Sequence, residues 1–147
     1  MELFSDDFFM KKALQEAAAA FENDEVPVGA VVVCNNKIIA KGHNQVELLS
    51  DVTAHAEIIA LTAASNYLGS KYLMDCTLYV TLEPCLMCAG ALYWAQLGKI
   101  VYGASDDSRG FSKKASEALH PKTEVVSGVL AEDSKLLLKE FFKSKRS

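Results

Sequence analysis

The stretch from Val80 to Trp94, VTLEPCLMCAGALYW, joins a β-branched run to a helical pattern through a proline. The residues before the proline are typical of a buried strand, and those after it are typical of a helix. Pro84 favours a helix start, because the first N–H groups of a helix have no partner within it to lose. Cys85 and Cys88 are three residues apart and therefore share one helical face. The stretch predicts a strand-to-helix turn whose two thiols can reach one metal ion.

Strand and helix patterns alternate on both sides of this turn. Ser5 and the acids after it predict a helix to about Asn23, and VGAVVVC and KIIAKG predict a hairpin. HNQVELLSD is predicted as a loop, TAHAEIIALTAASNYLG as a helix ending at Gly69, and the helix after Pro84 as one ending at Gly98. KIVYGA, a weak helix near 113–119, the strand TEVVSGVL and a helix from Ala131 to about Lys143 complete the chain. This alternation predicts one α/β domain over residues 1–147, with helices on both faces of a mixed sheet.

The composition is that of a globular protein. The chain has 147 residues, of which 50% are hydrophobic and 23% are charged. No apolar run approaches the length needed to span a bilayer, and the N-terminus lacks the features of a secretory signal. We therefore expect a cytoplasmic protein without a membrane partner. In that compartment the four cysteines are expected to be reduced, metal-bound or catalytic rather than disulfide-bonded.

The charges are distributed unevenly along the chain. The net charge is −4, yet residues 111–147 carry 8 Lys and Arg against 5 Asp and Glu. Lys135, Lys139 and Lys143 follow one another at i+4 spacing, and Lys145 and Arg146 extend the row. Such a basic stripe is either a solvated helix face or a surface for the phosphates of a nucleic acid.

His55 and Glu57 stand at the start of the helix before the cysteine turn. His55, Cys85 and Cys88 supply three metal ligands, and three protein ligands with one open position form the arrangement of catalytic zinc sites. Four further residues of ligand type are not paired at a short spacing: His43, His120, Cys34 and Cys76. We predict one Zn²⁺ per chain in an open site.

Glu57 is placed to carry a proton next to this metal. Zinc lowers the pKa of a bound water toward about 7, and a carboxylate can take that proton and pass it on. This pair of functions suits attack on an amidine-like carbon followed by loss of ammonia, which is hydrolytic deamination. The alternative from another class is a non-catalytic zinc-binding module, in which an acid beside an open coordination position would have no use.

The motifs resemble a known family nearly from end to end. EVPVGAVVV, GHN, TAHAEIIAL, CTLYVTLEPCLMCAGAL, IVYGA and GVLAEDSKLLLKEFFKSKR are similar to segments of the bacterial tRNA-specific adenosine deaminases, across about residues 5–146. These belong to the zinc-dependent cytidine/deoxycytidylate deaminase superfamily. The resemblance implies a three-layer α/β/α cytidine-deaminase-like fold with a five-stranded mixed sheet. It also implies conversion of the tRNA wobble adenosine to inosine, and a homodimer.

The resemblance further implies a substrate site. Asn44 matches a residue that hydrogen-bonds the flipped base, Val28 matches an apolar wall, and the backbone of Ala56 matches a contact to the exocyclic edge. Pro84 forms part of the rim, and Asp106 matches a position beside the preceding nucleotide. A turn-forming role for Asn44 and a solvated role for Asp106 remain the alternatives.

One segment departs from the family pattern. The stretch FSKKASEALHPKTEV, residues 111–125, stands where the tRNA enzymes usually carry a GSL-type stretch and a longer loop. Together with the acidic body of the chain, this departure keeps a second enzymatic hypothesis open. That hypothesis is a deaminase of free bases or nucleosides, such as cytosine, guanine or cytidine.

Overall fold

The computed structural model describes residues 4–145, which form five strands and six helices. The elements in chain order are α1 (Asp6–Glu22), β1 (Gly29–Cys34), β2 (Lys37–His43), α2 (Val46–Leu49), α3 (Ala56–Leu68), β3 (Cys76–Leu82), α4 (Leu86–Ala95), β4 (Lys99–Ala104), α5 (Phe111–Lys114), β5 (Glu124–Val126) and α6 (Ala131–Lys145). Within these residues, no helix is both long and apolar enough to cross a membrane.

The strands form one mixed sheet in the order β2-β1-β3-β4-β5. β1 runs antiparallel to β2 and β3, whereas β3, β4 and β5 run parallel to one another. The predicted α/β class with a five-stranded mixed sheet is therefore confirmed.

Alternating residues of the strands enter two separate cores, one on each face of the sheet. Val31 of β1 packs with Phe9 and Met10 of α1, on the face that α6 also contacts. Val32, one residue further, packs in the other core with Ala60 of α3. This separation follows from the two-residue period of a strand, which sends successive side chains to opposite faces. Helices on both faces make the three layers.

One edge of the sheet collects the chain segments that carry the predicted site. The register pairs Gly29, where β1 begins, with His43, where β2 ends. It also pairs Leu82 at the end of β3 with Ala104 at the end of β4. Because β1 is antiparallel to β2 and β3, its beginning lies at the same edge as the carboxyl ends of the other four strands. Ligands of open α/β sheets commonly bind at such an edge.

Four local predictions differ from the structure. The predicted loop HNQVELLSD contains the short helix α2, because the Glu25 carboxylate accepts hydrogen bonds from the N–H groups of Glu47 and Leu48. α4 ends at Ala95 rather than at Gly98, since Leu97 is buried and the Gly98 N–H donates to a carbonyl outside the helix. The weak helix near 113–119 is instead α5, and the last strand covers only Glu124–Val126.

Candidate metal and catalytic site

A cleft of about 960 Å³ opens at this edge of the sheet. Its walls come from the segment before β1, the loop and helix after β2, the start of α3, the turn after β3, the loop after β4 and the end of α6. His55, Cys85 and Glu57 all line it. Two of the three predicted metal ligands and the predicted acid therefore face the same cleft, and Cys88 is buried behind them.

The three predicted ligands lie together although 30 residues separate His55 from Cys85. His55 immediately precedes α3 and Cys85 immediately precedes α4, so both stand at helix starts. His55 Nδ1 is 3.7 Å from Cys85 Sγ and 3.5 Å from Cys88 Sγ. Among residues 4–145, this is the cluster of ligand-type side chains that could hold a metal ion.

These distances fit a tetrahedral zinc ion. With zinc–sulfur bonds of about 2.3 Å and zinc–nitrogen bonds of about 2.0 Å, tetrahedral angles separate nitrogen from sulfur by about 3.5 Å. One imidazole nitrogen and two thiols are also the donor types that zinc prefers. The start of each helix adds positive potential, which favours the thiolate form of its cysteine. The residues present therefore fit the metal that the sequence predicts.

The two thiols differ in their protonation. The Cys88 thiol donates to the Cys85 sulfur, which lowers the pKa of Cys85 to about 4 and raises the pKa of Cys88. The hydrogen bond to Cys85 raises the pKa of His55 in turn. The thiolate of Cys85 is half-buried, and Cys88 is fully buried. A half-buried thiolate beside an imidazole and a second thiol is a donor set that suits a divalent cation.

Glu57 lies in the first turn of α3 and is 4% exposed. Burial raises the pKa of its carboxyl to about 7, against the lowering effects of a hydrogen bond from its own backbone N–H and of His55 nearby. A carboxyl with a pKa near neutrality can both accept and donate a proton at physiological pH. This environment is that of a general acid and base, and a bound cation would lower this pKa.

Three of the five residues predicted to bind substrate line the cleft: Val28, Asn44 and Asp106. Asn44 Oδ1 accepts a hydrogen bond of 2.8 Å from the Ala56 N–H, which leaves the NH₂ group of this amide as the donor for a ligand. Ala56 itself is buried and holds Asn44 in place. Pro84 is also buried, and its carbonyl accepts from the Phe111 N–H. Ala56 and Pro84, the other two residues predicted to bind substrate, are not among the described residues that line the cleft.

Glu83 organises the loop that follows β4. Its Oε1 accepts from the Asp106 N–H at 3.0 Å, and its Oε2 accepts from both the N–H and the hydroxyl of Ser112. Asp106 in turn accepts from the N–H groups of Ser108 and Arg109. Both oxygens of Glu83 are thus occupied by structural hydrogen bonds that hold this loop against the turn after β3.

The sequence patterns missed several side chains of the cleft. Glu25 is buried and anchors α2, and Arg109 lies at the opening. Phe141 and Lys145 reach the cleft from the end of α6. A usable signal existed for Glu25, because an acid directly before the apolar run VPVGAVVV is unusual. The sequence signal for Arg109 was weaker, because it consists only of a cation in the same loop as Asp106.

Two lysines of the basic stripe on α6 form ion pairs within the protein. Lys135 pairs with Glu132, and Lys145 pairs with Asp24. Lys139 and Lys143 are exposed, whereas Arg146 lies outside the described residues. The phosphate-binding role predicted for the stripe stays a prediction for these lysines.

Comparison with known proteins agrees with this geometry. The sequence profile of the MafB19-like deaminases matches residues 4–146. The chain is 48% identical to the tRNA-specific adenosine deaminase of Rickettsia felis, over 91% of this chain and 98% of that protein. It is 44% identical to the enzyme of the same name from Aquifex aeolicus, over 96% of both chains.

Solved structures show the same fold. A structure from a study of A-to-I editing by tRNA:A34 deaminases superposes with a TM-score of 0.83, at 42% identity, over 88% of this chain and 98% of that one. The guanine deaminase of Nitrosomonas europaea superposes with a TM-score of 0.80 at 26% identity, over 96% of this chain and 86% of that one.

Proposed function

Since this chain belongs to the tRNA-specific adenosine deaminases, within the MafB19-like deaminase family, we propose that it converts adenosine 34 of tRNA to inosine and releases ammonia. The observation that carries this proposal is the 42–48% identity to such enzymes over most of the chain. Guanine deaminases share the fold at lower identity. We also propose that residues 1–147 form one deaminase domain and that this enzyme acts in the cytoplasm.

We propose that His55, Cys85 and Cys88 hold one zinc ion through Nδ1 and the two sulfurs. Zinc in such a site acts as a Lewis acid that makes water nucleophilic near neutral pH. The support is the close agreement of the nitrogen–sulfur distances with tetrahedral coordination.

Glu57 moves the protons of the reaction. Its carboxylate accepts a proton from water as the water oxygen bonds to C6 of adenine and gives that proton to ring nitrogen N1, and it then carries the remaining hydroxyl proton to the amino group. The C6–N bond breaks, ammonia leaves and the ring becomes hypoxanthine. One group serves as both base and acid, which requires a pKa between those of the donor and the acceptor. Burial moves the pKa of Glu57 in that direction.

Val28 and Asn44 orient the base. Val28 offers an apolar wall, and the NH₂ group of Asn44 offers a donor to a ring acceptor. Asp106 also lines the cleft and contacts the nucleotide that precedes the target. Ala56 and Pro84 contribute through their backbone, Ala56 by fixing Asn44 and Pro84 by supporting the turn at Cys85.

The test is a substrate panel. Purified protein is incubated with tRNA bearing A34, with the same tRNA bearing G34, and with free adenosine, cytidine, cytosine and guanine. We expect inosine after nuclease digestion, with an equal amount of ammonia, from the A34 tRNA alone. Deamination of guanine or cytidine without inosine in tRNA would assign the chain to the free-base deaminases instead.

We further propose a homodimer that associates through α4. Leu86, Met87, Tyr93 and Trp94 of this helix are exposed, and Trp94 reaches 77%. Apolar side chains grouped on one exposed helix are typical of an association surface. We expect sedimentation equilibrium to give twice the mass of the chain.

Trp94→Glu tests this surface. A buried unpaired carboxylate opposes association, so this variant should sediment as a monomer. Leu136→Glu is the matched control, because Leu136 is 59% exposed on α6, away from α4. A wild-type monomer, or a Trp94→Glu dimer, would remove the proposed interface.

A further inference from the structure

The cleft carries an excess of negative charge. The carboxylates that line it belong to Asp24, Glu25, Glu47, Glu57, Glu83 and Asp106. Arg109 and Lys145 are the permanent cations among the described lining residues. RNA carries a negative charge on every phosphate, so an acidic cleft repels the strand whose base it must bind. A cation close to the cleft has to offset that repulsion.

The two cations are not equally available. Lys145 forms an ion pair with Asp24 and lies 5.5 Å from the centre of the Phe141 ring. Arg109 is exposed, and its guanidinium forms neither an ion pair nor a hydrogen bond with any residue in the range 4–145. Its charge is therefore free to meet an anion from outside the protein.

The backbone of Arg109 is fixed with respect to the metal ligands. Its N–H donates to Asp106 Oδ1 at 3.0 Å, and the Asp106 N–H donates to the buried Glu83 at 3.0 Å. The next residue, Gly110, forms a β-bridge with Cys85. A side chain on such an anchored turn loses less freedom on binding than one on a mobile loop.

Resting on the proposed tRNA substrate, we propose that Arg109 binds a phosphate that flanks the target adenosine. The planar guanidinium matches two phosphate oxygens, and this match is stronger than a contact from a flexible lysine. A free base has no phosphate, so Arg109 favours a polynucleotide over a free base in an otherwise acidic cleft. It binds and positions the strand, and it takes no part in proton transfer.

The experiment combines enzyme variants with modified RNA. The substrate is an anticodon stem-loop that contains A34. The ribose at each of the two linkages that flank A34 carries a 2′-O-methyl group. One methylphosphonate replaces either the 5′ or the 3′ phosphate of A34 and removes its charge. The proteins are the wild type, Arg109→Ala, Arg109→Lys and the control Lys41→Ala, whose exposed lysine on β2 does not line the cleft.

We expect Arg109→Ala to lower kcat/KM by about ten- to a hundred-fold, the range for a hydrogen bond to a charged group. The salt dependence of log KM should lose about 0.7 of its slope, which corresponds to one phosphate contact on a single strand. Arg109→Lys should fall between Arg109→Ala and the wild type, and Lys41→Ala should match the wild type. One methylphosphonate should impair the wild type and have little further effect on Arg109→Ala, since both changes remove the same contact.

Two results would overturn the inference while leaving the proposed function intact. One is inosine formation by Arg109→Ala with unchanged kcat/KM and salt slope. The other is a wild type that tolerates both methylphosphonates, a result that does not depend on the folding of any variant. If the wild type forms no inosine in the unmodified stem-loop or in whole tRNA, the proposed function itself is wrong.

Discussion

At the scale of single residues, two of the three buried acids that line the cleft, Glu83 and Glu57, have different tasks. Glu83 is 3% exposed and Glu57 is 4% exposed, so burial does not distinguish them. Hydrogen bonds do, because Glu83 accepts from Asp106 and Ser112 with both oxygens. Glu57 has a pKa raised to about 7 by burial and faces the metal ligands. Glu83 therefore holds the loop after β4, whereas Glu57 lies beside the predicted metal ligands, where its proton can be exchanged with a bound substrate.

Replacement of Glu57 by glutamine should abolish turnover while leaving the metal bound. The amide cannot accept a proton and return it, and loss of such a group costs about 10²–10⁴-fold in rate. Single-turnover assays with an anticodon stem-loop measure the rate, and elemental analysis measures zinc. Glu117→Gln, an exposed acid outside the cleft, is the control and should retain both. Activity within a few fold of the wild type would exclude Glu57 as the proton carrier.

At the scale of elements, one carboxylate determines that residues 46–49 are helical. Glu25 Oε1 accepts from the Glu47 N–H at 3.0 Å, and Oε2 accepts from the Leu48 N–H at 2.8 Å. These are first-turn donors that have no partner within the helix. Because Val46, Glu47 and Leu48 line the cleft, Glu25 shapes the substrate site without needing to touch the substrate.

Glu25→Ala should therefore loosen α2. Two N–H groups lose their acceptor, so we expect faster hydrogen exchange at residues 47 and 48 and a free energy of unfolding lower by about 1–3 kcal/mol. KM for the stem-loop should rise more than kcat falls, because the change affects a wall and not the proton carrier. Glu25→Gln keeps one acceptor oxygen, so its exchange rates and its free energy of unfolding should lie between those of Glu25→Ala and the wild type. Unchanged exchange at both amides would contradict this role.

The packing of α1 on β1 depends on a glycine. A Cβ atom on Gly29 would lie 2.1 Å from the Ala13 carbonyl oxygen and 2.3 Å from the Ala17 nitrogen. Gly29→Ala should lower the free energy of unfolding by about 1–3 kcal/mol, because α1 must move away from the sheet. Urea unfolding measures this difference, and a Gly29→Ala variant as stable as the wild type would rule out this close approach.

At the scale of the whole molecule, the proposed metal ligands lie where the starts of two helices meet one edge of the sheet. Among the described residues, neither of the two cores on the faces of the sheet includes one of these ligands, and Cys88 is buried in the first turn of α4. The architecture therefore rests on apolar burial, and we expect a bound metal to stabilise the contact between the starts of α3 and α4.

Removal of zinc with a chelator should abolish activity and lower the thermal midpoint without loss of secondary structure. A ligand that binds only the native state stabilises it by about 4 kcal/mol at a thousand times its Kd, and this contribution disappears with the metal. Circular dichroism measures both the midpoint and the secondary structure, and added zinc should restore midpoint and activity together. A chelated protein with full activity would refute the metal assignment.

The sequence alone determined the class of the fold and the chemistry of the centre, because both depend on short-range patterns. Hydrophobic periods of two and 3.6 residues separate strands from helices, and Cys85 and Cys88 share a helical face through their spacing. The tertiary structure decided which side chains meet. The strand order brings His55 to Cys85 and places Glu25 beneath α2, and it leaves Arg109 free at the opening. Such contacts join segments that are far apart in sequence. The periodicity of hydrophobic residues reports only local structure, so it does not predict which distant group a buried acid will contact.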